Sequence, residues 1–165
     1  MQDVLPDRMK QEILTKLSDL NRQFPPKTTS DKVYNAALAC NQTLVCPFQD
    51  LNFGHLACAF AVNRVVEFAT GKPIDNSINT ASLFSTLLHS KAKQVAVHSP
   101  GNIIISPTVG DIHGHVGVFG ENALIYSNSS VVATLGVFLQ NYDLESWKHD
   151  LEGQRGLKTY VFALD

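Results

Sequence analysis

At 165 residues, 44% hydrophobic and 17% charged, the chain has the composition of a globular protein with room for one core, and not of a disordered one. A formal net charge of −2 offers no electrostatic attraction to nucleic acid or to an anionic membrane. No run approaches the roughly 20 apolar residues of a bilayer-spanning helix.

Taken in chain order, residues 8–23 read as an amphipathic helix capped by Asp7, with Met9, Ile13, Leu14, Leu17 and Leu20 on one face. Pro25-Pro26 ends it. Ser30 or Asp31 caps a second helix running through Val33, Ala36, Ala37 and Cys40. Residues 43–54 read as a loop, because Pro47, Asp50 and Gly54 break any period. A third helix is predicted over 57–70, with Ala61, Val62, Val65, Phe68 and Ala69 as its apolar stripe and Gly71 and Pro73 as its stop. A fourth spans 79–90 and buries Leu83, Phe84, Leu87 and Leu88.

The period then falls toward two, and strands are predicted at 94–98, 102–106, 114–119 and 123–128, with a tight turn at Gly120-Glu121-Asn122. Residues 131–140 fit helix or strand equally. Asp143 caps a short helix that runs through Trp147 to Leu151, and the chain closes on a strand over 158–164. Helices first and an antiparallel meander after them make an α+β arrangement, and residues 1–165 read as a single domain with a helical lead-in over 1–50. Tyr142 and Trp147 read as core anchors.

The cysteines are Cys40, Cys46 and Cys58. They form no CxxC pair, so no zinc or redox motif is supported. An odd count argues against a disulfide framework, and a Cys40–Cys46 bridge would need an oxidising compartment. Cys58 opens the third helix, where aligned peptide dipoles favour a thiolate. His115 lies in a glycine-flanked strand, Gly114-His115-Val116-Gly117-Val118, and a polar residue one strand further could orient it. Those are the parts of a nucleophile, a base and an orienting group. His113 and His115 with Asp111 make only a weak zinc spacing, so no metal and no other cofactor is expected. His89, His98 and His149 read as surface residues.

Three segments together resemble the NlpC/P60 and CHAP cysteine peptidoglycan hydrolases: Cys58-Ala-Phe-Ala-Val-Asn63, Pro100-Gly-Asn-Ile-Ile104, and Gly114-His-Val-Gly-Val118. The resemblance covers residues 54–130 and implies a papain-like fold with a hydrolase core over 54–165. It also implies a Cys58 nucleophile, a His115 base and an amidase reaction on stem peptides. The third residue in such enzymes lies on the next strand, which makes Asn128 the first choice and Ser127 the runner-up, one register step away. Ser127 and His55 are also candidates to line the cleft. The sequence departs from the family pattern at Asn102, where Asp usually follows Pro-Gly, and at Ala57, where Asp or Gln often precedes the cysteine.

The partner expected from the resemblance is a peptidoglycan peptide, with an immunity or delivery protein as a further partner. Residues 1–8 lack the basic-then-apolar pattern of a secretory signal. The expectation is therefore synthesis in the cytoplasm and action on the wall after lysis or injection, as for a phage lysin or an antibacterial effector. Two rivals stand beside this: an acyltransferase or protease with another substrate, and a catalytically silent binding module of the same fold.

Overall fold

The structure, a computed structural model, describes residues 5–46, 57–131 and 136–164. Among these, helices α1 (Asp7–Gln23), α2 (Thr29–Cys40), α3 (Cys58–Thr70) and α4 (Thr80–His89) precede strands β1 (Lys93–Gln94), β2 (Ile103–Ser106), β3 (His115–Phe119), β4 (Leu124–Ser129) and β5 (Val137–Asp143). A short α5 (Leu144–Trp147) runs directly into a π-helical turn, Lys148–Gln154, and β6 (Tyr160–Ala163) follows. The architecture is α+β, and all six strands pair antiparallel in one sheet of order β1-β6-β2-β3-β4-β5. No helix among the described residues is long and apolar enough to cross a membrane.

The helix starts follow local chemistry. Asp7 is the first residue of α1 and Pro6 occupies the cap position, with a backbone angle fixed by its ring. Thr28, not Ser30 or Asp31, caps α2. Its hydroxyl accepts from the Asp31 amide while the Asp31 carboxylate accepts from the Thr28 amide, a reciprocal capping box. At the end of α3, Gly71 takes the left-handed conformation at φ +90° and stops the helix.

Alternation along the strands separates two cores. Ile103, Ile105, Val116, Val118, Phe138 and Phe162 face α1–α4 and pack on Ile13, Val33, Ala36, Val62, Val65 and Leu83. Ile104, Phe119, Ile125 and Val161 face the other way, onto Trp147, Leu151 and Leu157 of the α5 layer. The sheet therefore lies between two helical layers, and burial of both faces fixes its register.

Several boundaries differ from the sequence reading. Leu14 and Leu88 stay exposed, because Ile13 and Leu17, and Leu83 and Leu87, already fill the inward stripes. The strand expected over 94–98 is only Lys93–Gln94; beyond it Asn102 pins the loop by donating to the Val97 carbonyl. The tight turn expected at Gly120-Glu121-Asn122 is present as a 3-10 turn over Glu121–Ala123. Residues 137–140, readable either way in sequence, are strand; 132–135 lie outside the described residues, as do 47–54 of the expected loop. The closing strand does not extend an edge of the meander. It inserts between β1 and β2. All three cysteines are buried and free, so Cys40 and Cys46 are not bridged.

Candidate active site

Cys58 is the first residue of α3 and is buried against the sheet. Pairing of β3 with β4 begins at Gly117–Ser127. Phe119 exchanges hydrogen bonds toward β2, with Gly101 and Asn102; alternation therefore points the Val116 amide toward β4, beyond the paired stretch. That amide, with those of Ala59 and of Cys58 itself, favours a charged Cys58 sulfur. The thiol thus sits where β3 and β4 part, against the residue that follows His115.

His115 opens β3 and faces the α5 layer. Its Nε2 lies 2.9 Å from Ser127 Oγ, and Ser127 donates its hydroxyl proton to Asn141 Oδ1 at 2.6 Å. Because that proton is committed to Asn141, Ser127 can only accept from the ring. The neutral imidazole is therefore protonated at Nε2, and Nδ1 keeps its lone pair. Nothing among the described residues hydrogen-bonds to Nδ1. Gly117, paired with Ser127 in register, makes room for this contact. A Cβ at Gly117 would come within 2.8 Å of the Ile125 side chain and the Tyr126 carbonyl, and within 3.2 Å of the Ser127 Cβ.

Of the two third-residue candidates, the structure therefore brings Ser127 to His115. Asn128 pairs with Phe138 and so lies on the helix-facing side of β4. The single register step left open in the sequence separates the two faces of the sheet. His55 lies outside the described residues. His113 and Asp111 are exposed, and no group of three or more His, Cys, Asp or Glu side chains among the described residues could hold a metal ion.

Four further residues complete the surroundings. Tyr142 and Trp147 place their rings 5.6 and 5.4 Å from the imidazole. Trp147 is fully buried, and its indole N–H reaches Ser106 Oγ and Thr159 Oγ1 at 3.2 and 3.3 Å. Tyr142 donates to Asp150 Oδ2 at 2.6 Å, and Asp150 takes a two-pronged ion pair from Arg155. Arg155 also donates to the His113 carbonyl at 2.9 Å. The π-helical turn makes the Asp150–Arg155 pairing local: the Arg155 amide bonds to the Asp150 carbonyl five residues back, so the two side chains stack on one side of the helix.

Burial dominates the protonation of both Cys58 and His115. It pushes the Cys58 thiol up to about 11, against the pull of the amides of Ala59, Val116 and Cys58 and of the Arg155 charge. The thiolate expected from the helix end is therefore not the resting form. Desolvation outweighs the partial charge of the helix terminus. Burial, followed by the Arg155 charge, pushes His115 down to about 4, with Asp150 pulling the other way. At neutral pH Cys58 rests as a thiol and His115 as a neutral imidazole. Tyr142 is raised as well, first by burial and then by its bond to Asp150.

Asn141, Tyr142, Asp150 and Arg155 carried no signal that sequence reading could use for this site. Asn141 is the extra residue of a β-bulge: Ile125 pairs with Tyr142 and Tyr126 with Gln140, leaving Asn141 unpaired and free to turn toward Ser127. His89, His98 and His149 are exposed, as expected. In comparisons with known proteins, no family model and no curated protein matches this chain.

Proposed function

We propose that the chain is a cysteine amidase or endopeptidase of the papain-like NlpC/P60 or CHAP type, acting on amide bonds in peptidoglycan stem peptides. One observation carries the reading. The His115–Ser127–Asn141 chain commits the Nε2 proton and leaves Nδ1 as the basic nitrogen, in a strand whose next amide meets the Cys58 sulfur. A general base needs a free lone pair of known direction, and this relay supplies one.

Because both groups rest neutral, the thiol proton passes to His115 Nδ1 as the sulfur attacks the carbonyl, not beforehand. The amides at the start of α3 receive the developing oxyanion. His115 returns its proton to the leaving nitrogen, the C–N bond breaks, and a thioester remains on Cys58. Water then gives a proton to His115 and attacks the thioester, freeing the acid and restoring the thiol. Each step uses only this chain's side chains, its amides and water. An acyl acceptor other than water would make the same layout an acyltransferase.

The burial that raises Cys58 favours a second reading, a silent binding module in which the thiol is never activated. Purified peptidoglycan sacculi incubated with wild type and with Cys58→Ala separate the two, with released muropeptides read by mass spectrometry. The amidase reading expects new fragments from wild type alone, and their masses name the bond. Identical profiles from both proteins would remove it.

A further inference from the structure

We propose that Trp147 is a positioning residue that fixes the plane of the His115 imidazole, and with it the direction of the Nδ1 lone pair. The contact of Nε2 with Ser127 settles which nitrogen carries the proton. It does not settle the ring plane. Rotation about the Cβ–Cγ bond of histidine is soft, without sharply staggered wells, and it swings Nδ1 while moving Nε2 less. The lone pair lies in the ring plane and turns with it. A contact on the ring face is what can hold it.

Two rings lie against the imidazole, and Trp147 is the better placed. Its centroid is 5.4 Å away at an interplanar angle of 36°, against 5.6 Å and 56° for Tyr142. The indole is itself anchored. Trp147 is fully buried, and its N–H reaches Ser106 Oγ at 3.2 Å and Thr159 Oγ1 at 3.3 Å. Ser106 pairs in register with His115, so the two side chains share one face of the sheet. Thr159 precedes β6, on the other side of β2, and its hydroxyl shares a 2.8 Å hydrogen bond with Ser106. The two hydroxyls lock one edge of the indole, and Tyr142 meets it in a T-shaped contact at 5.4 Å. An indole fixed in this way does not tilt with the imidazole; the imidazole is held to it. The hold on the ring is a property of the fold, whereas its use in catalysis rests on the hydrolase reading.

NMR relaxation of the His115 ring in isotope-labelled, full-length protein at neutral pH measures the hold. The signal is assigned by its loss in His115→Gln. On the scale where about 0.85 is rigid and below about 0.6 is flexible, the wild-type Cδ2–H order parameter should lie near the upper value. It should fall below the lower value in Trp147→Leu. Trp147→Phe keeps a flat face and should recover at least half of the loss. Val161→Ala removes volume from the same apolar layer and leaves both rings in place; it should lower the urea midpoint and not the order parameter. In turnover of a stem-peptide substrate, Trp147→Leu should cut kcat about tenfold with KM within about twofold, as for a misdirected base.

A ring as ordered in Trp147→Leu as in wild type would overturn the inference. So would an equal loosening in Val161→Ala, because the effect would then be general packing. If Trp147→Leu fails to fold, Ser106→Ala combined with Thr159→Val keeps the indole and removes both of its acceptors, and an unchanged order parameter there is equally decisive against it. A ring freed in Trp147→Leu, with no turnover by any protein, removes the amidase reading alone; turnover with a ring equally ordered in every variant removes this inference alone.

Discussion

In the proposed mechanism Ser127 is the orienting residue, because its single proton is already spent on Asn141. It can only accept from His115, and that leaves Nδ1 as the ring nitrogen with a free lone pair. Ser127→Ala should lower kcat/KM on a stem-peptide substrate about tenfold, the effect of losing one hydrogen bond in the transition state. Asn128→Ala, on the other face of β4, should change kcat/KM by no more than about twofold, a cost expected of a residue outside the proton path. A larger loss in Asn128→Ala than in Ser127→Ala would reverse the assignment. Cys58 and His115 were legible because a cysteine opening an apolar helix and a histidine in a glycine-flanked strand are local patterns. Ser127 against Asn128 was not, because register depends on pairing with β3, and Asn141 was hidden by a bulge that no periodicity reveals.

At the scale of elements, the helices were readable and their exact caps were not. The stripes of α1 to α4 follow the 3.6 period, yet Thr28 takes the cap of α2 by a reciprocal bond that competes with equally plausible neighbours at Ser30 and Asp31. Removing it should show: Thr28→Ala is expected to cost about 1 kcal/mol in urea unfolding, and no loss would mean that the box contributes nothing. The π-helical turn after Trp147 was also invisible, since Lys148–Gln154 has the composition of an ordinary polar helix. It matters more than its length suggests. By bringing Asp150 and Arg155 side by side, it sets a charged pair beside the aromatic rings that hold His115.

For the molecule as a whole, the α+β class and the consecutive strands β2-β3-β4 were readable from the order of the elements, whereas β5 lay in a stretch that fits helix or strand equally. Insertion of β6 between β1 and β2 was not, because it is a choice between two sheet positions that the strand's own sequence does not encode. The environment of His115 and Cys58 in this fold carries a signature in stability. The unfolded chain takes up a proton at His115 near pH 6.5, whereas the folded protein refuses it until about 4. Stability therefore falls as the pH drops through that window, by up to about 3 kcal/mol. In the alkaline direction the unfolded Cys58 thiol loses its proton near pH 9 and the folded one near 11, so stability falls again as the pH rises through that interval. Urea midpoints from pH 4 to 10 should show both limbs. The acid limb should be shallower in His115→Gln, which has no proton to take up; an unchanged limb would place the titration elsewhere.

The proposed mechanism requires a covalent bond to one sulfur. Wild-type protein mixed with sacculi, quenched in acid within seconds and digested, should yield a Cys58 peptide heavier by the acyl portion of a stem peptide, as expected for a thioester intermediate. Fragment release with Cys58 never modified, or release undiminished in Cys58→Ala, would contradict it.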